Sequence, residues 1–295
     1  MASAPKFSVI IPTRDRPLQL ERCLESLMLM RYPRERFEVV VVNDGDAPAS
    51  RTVIRRLLES VRTSLVSTGG AGPAAARNAG VAASTGENLA FIDDDCAADE
   101  SWLVAMEARL VANQDDVIGG TVTNSLTDNV YARASQGLQD FVYAWYHTER
   151  RGDLRFFTTN NLVVSRATFT AIGGFDASFP FASEDRDWCD RALLGGHDLI
   201  HAPEAVVRHF HDLTLGSFLK QHYRYGQGAF RFHRARASRR AERVRLEPVK
   251  FYIGMLRAPS RTNSPRPIRE SALTMASQAA SLVGFARELA LRLES

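Results

Sequence analysis

Apolar positions along the chain follow two rhythms. The runs "FSVII" and "FEVVVV" are continuous and β-branched rather than alternating, which is how strands buried on both faces read, and they end at Pro12 and at Asn43-Asp44. Between them "PLQLERCLESLML" places Leu18, Cys23, Leu24 and Leu27 at helical spacing behind Pro17, a residue suited to a helix start. The alternation repeats with a helix over "ASRTVIRRLLES", a strand near "TSLVST", a helix over "GPAAARNAGVAAS" and a strand at "NLAFID". Strands alternating with helices of this length predict an α/β fold: a mostly parallel sheet covered by helices on both faces, with right-handed crossovers.

After about residue 120 the alternation weakens. "ARASQGLQDFVYAWYHTERR" predicts a helix with an aromatic face, and "RFFTTNNLVVS" a strand pair or a loop. "SEDRDWCDRALLGG" predicts a helix entered through Ser183 and stopped by Gly195 and Gly196. From about Leu213 the chain reads as helical and basic. There "SPRPIRE" breaks the pattern before an amphipathic helix whose apolar stripe runs through Leu273, Leu282, Phe285, Leu289 and Leu293. These shifts divide the chain into residues 1–212, subdivided at about 120, and a helical basic extension, 213–295.

In parallel sheets ligands bind at the carboxyl ends of the strands. That edge collects Pro12, Thr13, Arg14 and Asp15 after the first strand, Asn43 and Asp44 after the second, and Asp93, Asp94 and Asp95 after the fourth. Three adjacent carboxylates repel one another unless positive charge sits among them. The helix opening at Gly72 starts at the same edge, so its unpaired N–H groups point into the cleft, with Arg77 one or two turns in. A basic residue and a helix N-terminus facing a carboxylate cluster suit a phosphate held by a divalent cation; carboxylates alone would suit only the cation.

Composition narrows the setting. With 45% apolar and 24% charged residues in 295, the chain has the make-up of a soluble globular protein. It shows no signal-peptide pattern and no run approaching the roughly 20 apolar residues of a membrane span. Three widely spaced cysteines, Cys23, Cys96 and Cys189, indicate neither a disulfide framework nor a zinc site, so a reducing, cytoplasmic location is expected. The formal charge of +3 is unevenly placed: "RFHRARASRRAERVR", residues 231–245, carries seven Arg against one Glu. Such a run is a solvated helix face, or a contact for phosphates, anionic lipid headgroups or an acidic partner.

Two further clusters carry chemistry. Glu184 and Asp185 fall in the first turn of a helix, where the macrodipole favours carboxylates, but Asp187, Asp190 and Arg191 follow on the same helix, more acid than capping needs. In "EAVVRHFH", His209 and His211 alternate at the end of a strand-like run, and a His near a carboxylate pair is a reasonable third metal ligand. A phosphatase-like Asp nucleophile at the fourth strand would want a small hydroxyl residue after the triplet, where the chain has Cys96 and Ala97.

Taken in order, "FSVIIPTRDRP", "VVVVNDG", "GPAAARNAGVAASTGE", "FIDDDC", "NNLVVSR", "IGGFDASF…SEDRDWCDRALLGG" and "APEAVVRHFH" resemble family-2 inverting nucleotide-sugar glycosyltransferases of the GT-A fold, over roughly residues 6–230. The resemblance implies a catalytic domain over 1–212, with 6–120 binding the nucleotide sugar and 121–212 the acceptor. It implies that Asp44 accepts a hydrogen bond from a uracil or thymine base, that Pro12, Thr13 and Arg14 line base and ribose, and that Arg77 faces the diphosphate. Asp93 and Asp95 match the ends of the family's DxD motif, flanking Asp94, with Asp95 and His209 holding Mg²⁺ or Mn²⁺. Cys96 stands where many members have a fourth acid, which lightens the metal shell. Asp185 matches the catalytic base, beside Glu184. The reaction implied displaces a nucleoside diphosphate from an anomeric carbon in one in-line step.

Two other readings share these features. A nucleotidyltransferase would show a basic Gly-rich loop after the first strand, which "PTRDRP" is not; a non-catalytic sugar-nucleotide-binding protein would have lost Asp185 or Asp95. The expected partners are a nucleotide-sugar donor and a carbohydrate, lipid-linked or natural-product acceptor. No nucleic acid is expected. A homodimer is possible through the extension, and membrane contact is at most peripheral.

Overall fold

The computed structural model describes residues 6–45, 54, 61–148, 154–241, 247–261 and 265–293. Nearly all of the helix predicted over "ASRTVIRRLLES" lies outside them.

Eight strands form one sheet: β1 (Phe7–Thr13), β2 (Phe37–Asn43), β3 (Arg62–Ser67), β4 (Asn88–Phe91), β5 (Cys96–Ala98), β6 (Val117–Asn124), β7 (Leu162–Ser165) and β8 (Leu199–His209), in the order β3-β2-β1-β4-β7-β6-β8-β5. The pairs β3–β2, β2–β1 and β1–β4 are parallel, as the alternating pattern requires. Beyond β4 the direction changes, with β7 antiparallel to both β4 and β6, and β5 antiparallel to β8. "RFFTTNNLVVS" therefore supplies one strand, preceded by a 3₁₀ turn at Thr159–Asn161. Buried Asn161 in that turn accepts from Trp102 Nε1 at 2.8 Å and donates to the carbonyls of Thr121 and Ala205.

The chain separates into two compact units. The first holds residues 1–123, 157–180 and 191–210, and the second 124–156, 181–190 and 211–295. In the first, α1 (Pro17–Met28), α2 (Pro73–Ala82), α3 (Trp102–Ala112) and α5 (Arg166–Ile172) accompany the sheet. The helix α4 (Val130–Tyr143) belongs to the second unit, and α6 (Glu184–Leu194) has residues in both. Leu20, Cys23, Leu24 and Leu27 of α1 join Val9, Ile11, Val39 and Val41 in one buried cluster. Leu18 does not: it is exposed, and the apolar face of α1 begins at Leu20 instead.

The second unit is helical, with α4, α7 (Leu215–Arg240), α8 (Val249–Arg261) and α9 (Pro267–Leu293). The aromatic face predicted near residue 141 is core, since Trp145 and Tyr146 pack with Phe251 and Met255. The single apolar stripe predicted on α9 is two faces. Leu273 packs beside Leu213 and Phe218, and Phe285 sets its ring edge-on to Phe230, whereas Leu282, Leu289 and Leu293 are exposed. At the crossing of α7 and α9 two glycines let backbone meet backbone. A Cβ on Gly226 would lie 1.9 Å from the Ser281 carbonyl oxygen, and one on Gly284 2.0 Å from that of Tyr223.

The basic run is only partly a solvated face. Arg239 spans Asp187 and Asp190 at 2.7 and 2.8 Å, Arg240 reaches Asp190 at 3.0 Å, and Arg236 also pairs with Asp190. Both carboxylates are buried, which explains acids on α6 that capping left over. Among the described residues no helix is long and apolar enough to cross a membrane.

Candidate functional site

The parallel strands end together. Register pairs Thr13 of β1 with Asn43 of β2, and Ile10 with Phe91 of β4, so Arg14, Asp44 and Asp93 leave the sheet along one edge. Hydrogen bonds then order the carboxylates one by one. Arg77, buried in the second turn of α2, donates to Asp93 Oδ1 at 2.7 Å. Thr13 donates its hydroxyl proton to Asp94 Oδ2 at 2.7 Å. Arg16 lies 3.4 Å from Asp94 Oδ1 and 3.1 Å from Asp95 Oδ2. The positive charge that three adjacent acids require is thus supplied by two arginines, of which the sequence pointed only to Arg77.

The sequence does not single out Arg16, because "TRDRP" offers Arg14 and Arg16 with nothing to rank them. The backbone ranks them: Asp15 adopts a left-handed φ of 55°, and it is Arg16 that meets the triplet. Arg14 remains largely exposed, 4.0 Å from Asp44 Oδ2. Asp44 itself is buried and accepts from Thr68 Oγ1 at 2.6 Å and from the Gly72 amide at 3.0 Å. At the helix start expected to face phosphate, the Gly72 amide is thus donated to Asp44. A carboxylate has about four lone-pair sites, so Asp44 keeps accepting capacity.

Burial dominates the electrostatics of the triplet. Desolvation, with Asp95 and Asp93 adding to it, pushes the Asp94 carboxyl up to about 7 against the pull of Arg16 and Thr13. His209 is largely buried, which alone would favour neutral imidazole, but its hydrogen bond to Asp95 and the charges of Asp95 and Asp93 outweigh that and raise it above its ordinary value. Burial also pushes the Cys96 thiol well up, so it stays protonated.

Asp95, Cys96 and His209 bring one ligand atom each to within 4.8 Å of one another, with His209 Nε2 3.3 Å from Asp95 Oδ1. A carboxylate oxygen and an imidazole nitrogen fit a divalent cation of the Mg²⁺ or Mn²⁺ class, completed by oxygens of a bound ligand. The protonated Cys96 thiol adds at most a weak donor. Pro12, half-buried at the end of β1, brings backbone to this edge but no hydrogen-bonding side chain.

Glu184 and Asp185 belong to the second unit. They open α6 after Ser183, whose φ is 74°. Asp185 Oδ1 accepts the Arg186 amide at 2.7 Å and the residue is half-buried, while Glu184 is buried. Further along α6, Asp187 at the end of the first turn and Asp190 in the second are held by the α7 arginines.

Residues 8–177 match the sequence profile of the family described as glycosyl transferase family 2. Relatives include the glycosyltransferase AglE of Haloferax volcanii, 26% identical over 77% of this chain and 74% of its own length. The pre-mycofactocin glycosyltransferase of Mycobacterium tuberculosis is 26% identical over 75% of this chain and 46% of its own. Among solved structures, the mannosyltransferase PcManGT of Pyrobaculum calidifontis, in complex with GDP-Man and Mn²⁺, aligns over 99% of this chain and 81% of its own, with a TM-score of 0.63 and 20% identity. Residues 1–349 of Staphylococcus aureus TarS, in complex with UDP, cover 98% and 92%, with a TM-score of 0.57 and 17% identity. The shared architecture is the GT-A fold.

Proposed function

Because the chain belongs to glycosyl transferase family 2, a family of nucleotide-sugar glycosyltransferases, we propose that it moves a sugar from a nucleoside diphosphate sugar to an acceptor hydroxyl with inversion, aided by a divalent cation. The observation that carries this reading is the meeting of Asp95, Cys96 and His209 beside an arginine-braced Asp93 and Asp94, at the strand ends where the nucleotide of such folds binds. PcManGT in complex with GDP-Man and Mn²⁺, and TarS in complex with UDP, make the same chemistry the natural expectation here.

In this reading residues 6–120 bind the donor and 121–212 the acceptor. Asp44 accepts from the base, with Pro12, Thr13 and Arg14 beside base and ribose. Arg77 orients Asp93 and adds positive charge where the diphosphate lies. Asp95 and His209 hold the cation, which when bound neutralises charge developing on the leaving diphosphate. Asp185 takes the acceptor proton in the transition state, with Glu184 beside it. A single in-line displacement inverts the anomeric centre.

The test is a panel of UDP-, dTDP- and GDP-sugars with Mg²⁺ or Mn²⁺, scored for slow donor hydrolysis, which reveals the donor without knowledge of the acceptor. Asp95→Ala should abolish the gain in nucleotide affinity that Mn²⁺ gives. Asp185→Asn should collapse turnover by roughly 10²–10⁴-fold, the contribution of a general base, with nucleotide affinity unchanged. Turnover that survives in Asp185→Asn places the base elsewhere; nucleotide affinity indifferent to chelator removes the metal.

A further inference from the structure

The outward face of α9 has no partner among the described residues, yet it is ordered like a coiled-coil seam. Ile268, Met275, Leu282 and Leu289 recur every seven residues and are between 44% and 87% exposed. Four residues after each come Ala272, Ala279, Ala286 and Leu293, all exposed as well. This is a strict alternation of steps of four and three, the 3.5-residue period that keeps one seam facing a second helix. Glu270, Ser277 and Gly284, on the opposite side, are buried within the unit, so the seam points away from it.

We propose that α9 pairs with α9 of a second copy of this chain, as an antiparallel two-helix coil centred between Ala280 and Ser281. The order of small and large side chains selects this partner and direction. In a parallel pair each layer would set a residue against itself, so the large layers would hold the helices apart and leave gaps at the alanine layers. In the antiparallel pair Ala272 meets Leu289 of the second copy, Met275 meets Ala286, and Ala279 meets Leu282, one small against one large in each. At the two ends Ile268 meets Leu293. One two-fold axis satisfies all of these layers, which is the self-complementarity an isologous interface needs.

The flanks agree. In that register Arg269 lies beside Ala290 of the second copy, Ala276 beside Val283 and Ser271 beside Arg292, so no like charges oppose. The seam spans roughly 40 Å of helix. Its large side chains are 44% to 87% exposed, and they are what the coil would bury toward the roughly 800 Å² per partner of a standard interface. A membrane surface could also take the exposed Val283 and Leu291 with the arginines of α9, but it would select no alternation of alanine with large residues.

Sedimentation of the full chain across a concentration series tests the proposal. A dimer is expected, and Leu282→Glu should raise its dissociation constant by about 100-fold or more, while circular dichroism shows the helices retained. A double variant, Ala272→Cys with Leu289→Cys, tests the direction under mild oxidation, the native cysteines being buried. Peptide mapping should find the thiol introduced at position 272 joined to the one introduced at position 289 of the second copy. Links joining like positions would overturn the antiparallel register. A wild type that stays monomeric at every concentration, or floats with anionic liposomes in high salt, would overturn the dimer.

Discussion

Cys96 of β5 and His209 of β8 stand directly opposite one another in an antiparallel pair. This ladder brings a residue from the far end of the unit's sequence against the carboxylate triplet, and the Phe210 amide continues it by donating to the Asp95 carbonyl at 2.8 Å. His209→Ala keeps the backbone pairing and removes the imidazole. Mn²⁺ affinity should fall by at least about 10–100-fold, the loss seen even when outer-shell partners of a metal are changed. Melting without metal should change little. An unaltered Mn²⁺ titration by calorimetry would remove His209 from the ligand set.

Arg16 is the internal counter-charge to Asp94 and Asp95, held charged because those carboxylates outweigh the cost of its own burial. Arg16→Met leaves the acids facing each other. Its pairs are half-exposed, so the loss is about 1 kcal/mol, or roughly 2–4 °C in melting temperature. Added Mn²⁺ should raise the melting temperature of this variant more than that of the wild type. Equal Mn²⁺ shifts would show that Arg16 and the cation do not share the same charges.

Asp190, buried under Arg236, Arg239 and Arg240, is the ionic centre of the second unit. Breaking such a buried group by removing its shared partner costs about 3–5 kcal/mol, so Asp190→Ala should lose that much in urea unfolding. Arg240→Met should lose less, since two arginines still face the carboxylate. A cost under about 1 kcal/mol for Asp190→Ala, the range of exposed pairs, would return the basic run to the status of a solvated face.

His222 is buried between the rings of Phe218 and Tyr225, and burial pushes it down to about 4. The folded chain therefore keeps it neutral while the unfolded chain takes up a proton below about 6.5. Stability from this group is complete above about 6.5 and is lost as pH falls from there through about 4, by about 3 kcal/mol in all. A His222→Leu protein should show a flatter fall in melting temperature over that window; an unchanged slope would contradict the assignment.

What was legible in the sequence were features set by local pattern. The parallel half of the sheet follows from continuous apolar runs, and the alignment of Thr13, Asp44 and Asp93–Asp95 follows from strand ends. What was not legible depends on distant pairing or a single backbone torsion. "RFFTTNNLVVS" gives no sign that β7 runs antiparallel between β4 and β6. Asp187 and Asp190 are surplus acids until the arginines, some 50 residues later, close over them. The α9 stripe, read by hydrophobicity alone, mixed Leu273 and Phe285, which face inward, with the seam that faces out.

The crossing of α7 and α9 at Gly226 and Gly284 fixes more than a contact. At each glycine the nearest obstacle is a carbonyl oxygen of the other helix, not a side chain that could be trimmed. A larger residue at either position has no single compensating substitution, so sequence drift can neither tighten nor rotate this joint gradually. The angular setting of α9, and with it the direction its outer seam faces, is inherited from two positions that carry no side chain.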